Sequence, residues 1–429
     1  MLQKNILANF RHNFVVNVMD GAFFGLGLGF ASMVSIIPLF VNSLTDSTTI
    51  IGLIASVHAV GWQLPQLFMA NRVAGQRRYL PMVLRMTIHE RWPFLGLAVV
   101  ALLIPAITKD FALALTFILL CWHALSGGLA GAAWQSMIGK IMPENRRGMF
   151  YGTQSAGLSL LQGAGAVTAG IILVQLPYPY NFALCFFLTM VAMVISFVFL
   201  WRSREPESQP IETQQDWGDW WRNLTRILRQ DGNFRWFILT RALAQVAFMA
   251  VGFYTIYGVR HFALDGATAG LLAGTMQLAQ MATSPLIGWA GDRWGHRRVF
   301  ALGILSLGLG TFLALSATST VWFYPAFALA GFANGVLWTS VLTITVEFGT
   351  EADRPYYIGL ANTLVAPATL VAPIIGGAIV DLAGFEATFG IAIGAALLTV
   401  LVLLVILRDP RTLRQPTLIE PLAVAMPGD

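Results

Sequence analysis

The 429-residue chain is 56% hydrophobic and only 11% charged, where soluble domains carry about a quarter charged residues. Apolar runs of the roughly 20 residues that cross a bilayer recur along almost its whole length and leave no room for a soluble catalytic domain. Its net charge of +5 gathers at one end of the alternating runs instead of forming a basic patch, so it is a topological signal and excludes nucleic acid as a partner.

Continuous apolar runs, unlike alternating ones, select helices over a barrel as the way to satisfy the backbone in lipid. Twelve spans are expected, at about 14–42, 49–70, 80–107, 111–141, 149–174, 180–201, 234–258, 268–290, 298–317, 321–347, 357–381 and 385–407. The first holds VNVMDGAFFGLG, in which Asp20 shares a helical face with Asn13 and Asn17. Gly21, Gly25 and Gly29 form a neighbouring face smooth enough for close helix contact. The segment is too long for a signal-peptide core and lacks a small-residue cleavage site, so it is expected to stay as an anchor. In the third span, RMTIHERWP groups Arg85, His89, Glu90 and Arg91; the apolar run after it, Trp92 to Ile107, is 16 residues, so part of the cluster must enter the membrane. Cys121 and Cys185 lie in separate spans, with neither disulfide nor zinc spacing, and read as inert thiols. Residues 202–233 are the one long polar segment, a hydrophilic linker followed by DWGDWWRNLTRILRQ. Trp217, Trp220, Trp221, Leu224, Ile227 and Leu228 lie near one face of that stretch, flanked by Arg222, Arg226 and Arg229. The pattern suits a helix on an anionic membrane surface and equally a helix packed on the bundle. The tail, 409–429, is rich in proline and expected to be disordered.

With these spans, 21 of the 26 Lys and Arg fall on the side of the N-terminus, two (Lys109 and Arg260) fall opposite, and three (Arg85, Arg91 and Arg241) lie within spans. The positive-inside rule then places both termini in the cytoplasm of a cell (plasma or inner) membrane. The second half echoes the first. Gly127, Gly131, Trp134 and Ser136 match Gly331, Gly335, Trp338 and Ser340 at an offset of 204; Arg147, Gly152, Gly170 and Phe182 match Arg354, Gly359, Gly377 and Phe389 at 207. Asn13-Phe14 likewise matches Asn233-Phe234. Six spans per half make the repeats parallel, giving bundles at 1–201 and 234–408 joined by the linker at 202–233.

GWAGDRWGHRR (288–298) joins the eighth and ninth spans. It resembles the signature loop of the major facilitator superfamily, with Gly288, Asp292, Arg293, Gly295, Arg297 and Arg298 all matching. The first-half stretch NRVAGQRR keeps Arg72, Gly75, Arg77 and Arg78 but has Asn71 in place of the acid and one extra residue. PENRRG, ADRP and APIIGG resemble further elements of the same family. The resemblance covers essentially the whole chain and implies an all-α membrane protein, two pseudo-symmetric six-helix bundles rocking around a midplane cavity. Physically, Gly288 lets two helices approach, and Asp292 can bond the open N–H groups of a neighbouring helix start or pair with Arg354. Such contacts form a gate at the basic-loop end, together with Arg72, and the neutral Asn71 makes the first-half latch the weaker one.

Ionisable groups inside spans need a partner, a cavity or a function. Asp20, Arg241 and Glu90 are the proton-coupling candidates. Counted from the two Asn-Phe pairs, Asp20 and Arg241 lie at similar depth in helices that the resemblance places on the cavity. Pairing across the halves would couple opening to protonation, since a guanidinium favours the carboxylate and a dry cavity favours the acid; a permanently ionised pair or a snorkelling Asp20 is the competing reading. Glu90 is expected to pair with an arginine inside the first bundle. His58, Trp62, Gln66, His123, Gln245, Gln277, Asn334, Trp338 and Asn362 are the expected cavity residues, each also explicable as an interhelical hydrogen bond. They suit a small, partly apolar organic solute, with proton-coupled transport and export as the expectation; Arg241 would instead serve an imported anion. No cofactor or metal is implied, GLGLGF and GAGAVTAG lack the preceding strand of a nucleotide loop, and an enzyme is not expected. Nothing requires more than a monomer in the bilayer. A receptor or assembly factor and a lipid flippase are the rival classes on the same fold.

Overall fold

Residues 2–33, 35–45, 48–208, 217–263, 266–351 and 353–413 are described in a computed structural model. Among them there is no strand, and helix follows helix. The first half comprises α1 (Leu2–Phe30), α2 (Ile36–Leu44), α3 (Thr48–Gln63), α4 (Pro65–Ala74), α5 (Leu80–Leu103), α6 (Lys109–Ile141), α7 (Arg147–Gln175) and α8 (Tyr180–Trp201). The linker helix is α9 (Trp217–Gln230). The second half comprises α10 (Gly232–Phe248), α11 (Val251–Phe262), α12 (Gly266–Trp294), α13 (His296–Leu315), α14 (Phe323–Glu347) and α15 (Arg354–Leu401).

Among the described residues nine helical stretches are long and apolar enough to cross a membrane, and the chain is a multi-pass membrane protein. The last stretch, Arg354–Thr412, holds two of the expected spans. They meet at Gly384, whose φ of 85° and ψ of 173° break the helix where a side chain would be strained. The first expected span is interrupted: α1 stops at Phe30 and α2 restarts at Ile36. The seventh breaks in the same way between α10 and α11. The second is divided at Pro65, which has no N–H to continue the ladder and begins α4 instead. Asp231 caps α10 by accepting from Phe234 N at 2.8 Å.

The internal repeat is visible in the contacts. Asn13 clasps the chain just after α8, donating to Arg204 O at 2.9 Å and accepting from Arg204 N at 2.8 Å. Asn233 does the same to Arg408, at 2.9 and 2.8 Å. Arg147 donates to Gly139 O, and Arg354 donates to Val346 O at 3.0 Å, each eight residues back along the chain. The α1 glycine face packs as its spacing implies: a Cβ on Gly25 would strike Leu158 O, and one on Gly29 would strike Gln162 O, both on the backbone of α7. One apolar core lies within the first half, around Phe40, Phe94 and Phe186. A second fills the second half and takes in Leu67, Ala70 and Ala74 of α4. Leu224 and Ile227 of α9 are buried in that second core, so this helix is packed on the bundle, while Trp221 stays exposed. The side chains of Trp217 and Trp220, and the tail from 414, lie outside the described residues.

Candidate functional site

Two seams between the halves close the end that carries the basic loops. In the first, α7 lies directly on α12. A Cβ on Gly152 would run into Ser284 O, and one on Gly288 into Gly148 O, so only glycine permits the approach. Asp292 caps the start of α7, its carboxylate accepting from Gly148 N at 2.8 Å and Met149 N at 2.7 Å, with His296 Nε2 at 3.2 Å. A carboxylate on open helix N–H groups meets both their hydrogen-bond need and the positive end of the helix dipole. In the second seam, α4 and the end of α3 meet α15: Tyr356 donates its hydroxyl to Asn71 at 3.1 Å, Thr363 donates to Gln63 O at 3.1 Å, and Asn362 donates to Gln66 at 2.6 Å. The Tyr356–Asn71 bond is neutral, whereas the two that Asp292 accepts are charge-assisted.

The remaining gate residues divide by what they touch. Gly295, at φ 97°, turns the chain from α12 into α13. Arg297 donates to Leu407 O, and Arg293 lies 5.6 Å from the Trp289 ring centre. Arg354 bonds Val346 O instead of Asp292. Arg72 and Arg298 are exposed. Glu205, which no motif in the sequence marks, is buried, accepts from Tyr79 N at 2.9 Å and Leu80 N at 2.7 Å at the start of α5, and pairs with Lys140 at 3.0 Å. Lys140 also lies 4.0 Å from Glu351 of the second half, to which Ser208 donates. The available signal was a glutamate placed immediately after the last apolar span of its bundle.

Further inside, the geometry corrects the expected cross-bundle pair. Asp20 accepts from Ser196 at 2.6 Å and lies 3.6 Å from Arg91 Nη2. Glu90 is 3.9 Å from Arg91 Nη1, and Arg91 also donates to Met193 O, Thr87 O and Ser196 at 2.9 Å each. All three side chains are buried and belong to the first half. The cause is rotation about the α1 axis: Asn13, Asn17 and Asp20 share the face turned toward α8 and the chain after it, where Asn17 donates to Ser203 at 2.9 Å. Arg241, at similar depth in α10, turns to Asn362 instead, 3.1 Å away.

The candidates named for a cavity fall into three groups of contacts. Arg241, Asn362 and Gln66 make a hydrogen-bonded chain across the halves, continued by Gln66 donating to Trp62 O at 2.9 Å. Trp62 and Trp338 meet edge to face across the halves, ring centres 6.3 Å apart. His58 stacks on His123 at 5.9 Å, but His123 is buried and bonded to Glu90 O at 2.9 Å, which makes it a support of the His58 ring. Asn334 donates to Gln280 at 2.8 Å, while Gln277 and Gln245 are partly exposed. Glu90 approaches these residues: a Cβ on Gly127 would sit 2.8 Å from Glu90 Oε1 and 3.2 Å from Trp62.

The profile described as Major Facilitator Superfamily matches residues 22–259 and 249–425. Multidrug resistance protein 2 of Bacillus subtilis (strain 168) is 24% identical over 184 residues, 42% of this chain and 45% of that protein. The tetracenomycin C resistance and export protein of Streptomyces glaucescens is 32% identical over 130 residues, 30% of this chain and 24% of that protein. The chain thus spans less than half the length of these curated relatives. Its structure superposes on the E. coli fucose:proton symporter with a TM-score of 0.74 at 13% identity, covering 91% of this chain and 97% of that one. That likeness is one of fold.

Proposed function

The chain belongs to the Major Facilitator Superfamily, and on that premise we propose that it is a secondary active transporter exporting a small, partly apolar organic solute by alternating access, coupled to protons. Members of this family are transporters and not enzymes. The observation that carries the reading is the pair of seams shut at the basic-loop end by Asp292 on α7 and by the Gln66–Asn362 contact. With that end taken as cytoplasmic by the positive-inside rule, the conformation is closed to the cytoplasm, and parting the seams would open the wall of Trp62, Trp338, Gln66 and Asn362 to it. The relatives named for multidrug resistance and for tetracenomycin C resistance and export support an organic cargo moved outward. Coupling rests on charge balance: two buried carboxyl groups, Asp20 and Glu90, share one guanidinium. A net charge buried in the bundle is unfavourable by several kcal/mol, so the cluster is balanced with one proton bound, and Glu90 stands where solute binding can reach it.

A specific observation favours a second reading, import of an anionic organic solute. Arg241 keeps Nη1 buried without a hydrogen-bond partner beside the Asn362 chain, a donor that a carboxylate would satisfy. Purified protein in liposomes separates the readings by counterflow and by uptake on an imposed pH gradient. We expect saturable counterflow of a cationic or neutral aromatic solute by wild type, with uphill movement lost in Glu90→Gln and Asp20→Asn while counterflow persists. Uphill movement surviving in both variants overturns the coupling. Counterflow of aromatic carboxylates alone selects the import reading; wild type without saturable counterflow of either class leaves a receptor, an assembly factor or a flippase.

A further inference from the structure

Helix α5 carries polar residues on two opposite sides. Glu90 and Arg91 face inward, whereas Arg85, Ile88, His89 and Trp92 are exposed on the outer surface of the bundle. Arg85 lies five residues into the apolar stretch Leu80–Ala106, about 7.5 Å along the helix from its basic-loop end. Among the described residues no ion pair or hydrogen bond holds its guanidinium. An unpaired cation on the lipid side of a span is unfavourable unless it reaches an anion at the interface.

Beside it runs a groove of about 640 Å³ between α5 and α6, lined by His89, Ile118, Cys121 and Trp122 among others and almost wholly apolar. It extends along α6 from Phe117 to Leu129, about 18 Å at 1.5 Å per residue. That length is close to one leaflet of a hydrocarbon core roughly 30 Å thick. The His89 ring lies 6.2 Å from that of Trp122, joining the polar side of α5 to the groove wall, and Arg85 sits one helical turn before His89, toward the headgroups.

We propose that this groove holds one acyl chain of an anionic phospholipid, with the lipid phosphate against Arg85 and His89 in the leaflet of the basic-loop face. The groove supplies apolar contact along the chain, Arg85 supplies a cation that favours a lipid of net negative charge, and the His89 ring lies beside it with nitrogen atoms that can hydrogen-bond the phosphate. The site is on the outside of the first bundle and is independent of the solute wall, so it stands or falls apart from the transport reading.

Native mass spectrometry of the full chain in detergent tests it, with phosphatidylglycerol or phosphatidylcholine of identical acyl chains added at increasing ratio and inorganic phosphate as competitor. Wild type should retain one phosphatidylglycerol preferentially. Arg85→Ala should weaken that retention about fivefold, the factor one arginine gains near an anionic surface, and Arg85→Lys should restore most of it. Cys121→Trp should remove retention of either lipid by filling the groove. Equal retention of phosphatidylcholine, an Arg85→Ala effect under twofold, displacement by inorganic phosphate, or a lipid-free dimer cross-linked through Cys121 would each overturn the proposal.

Discussion

Replacing Asp292 by Asn keeps the shape of the α7 cap and removes its charge. In the native seam the carboxylate, 9% exposed, accepts from two backbone N–H groups at 2.8 and 2.7 Å. The amide has one acceptor oxygen, so one N–H of Gly148 or Met149 loses its partner and the other bond ceases to be charge-assisted. Hydrogen bonds to charged groups contribute about 1.5–3 kcal/mol each, and the interaction with a helix start adds roughly 0.3–2 kcal/mol. Loss of about 2–4 kcal/mol from the closed seam shifts the equilibrium between closed and parted ends by a factor of roughly 30 to 700, since 1.4 kcal/mol is tenfold. The assay places a single cysteine at Ser155, whose hydroxyl lies 3.4 Å from that of Ser284 across this seam, with Cys121 and Cys185 replaced. A membrane-impermeant maleimide is added from the basic-loop side of oriented vesicles. Labelling should accelerate at least about tenfold in Asp292→Asn. A folded variant that labels within twofold of the parent would refute the argument that this cap holds the seam.

Two further outcomes follow from the packing. Arg91→Met leaves Asp20 and Glu90 buried without their shared cation, so it should destabilise the first bundle by about 3–5 kcal/mol, read as a lower thermal unfolding midpoint in detergent; Asp20→Asn should have a much smaller effect, and equal midpoints would discard the charge-sharing account. Gly152→Val drives a side chain into Ser284 O, whereas Gly163 has open space around its α-carbon; the first substitution should part the seam in the labelling assay and Gly163→Val should leave it closed.

Much of the architecture was legible because lipid imposes few solutions. Apolar runs marked the spans, the basic residues marked one end, and the constant offsets marked the repeat. The Asn13 and Asn233 clasps, found only as matching dipeptides, turned out to hold equivalent backbone segments. The candidate site was legible in part. Asp292 was readable as a cap for a helix start, and the Gly288 spacing implied close approach. The helix breaks after Phe30 and Phe248 were not readable, because only Ser32 and Ser35 mark the first and the apolar Met249 and Ala250 run through the second. Glu205 was not either, since its role depends on a linker folding back onto the start of α5.

The sequence by itself determined depth, order and end: how far along each helix a charge lies, and which loops share a side. Depth follows from counting residues at a fixed rise. It placed Asp20 and Arg241 level with one another, yet only the tertiary structure decided that one turns to Arg91 and Ser196 and the other to Asn362. Successive residues of an α-helix are about 100° apart, so each position has a definite azimuth on its own helix, but the rotation of that helix among its neighbours is set by packing. Glycine contacts with α7 fix it for α1, and those contacts belong to both helices at once.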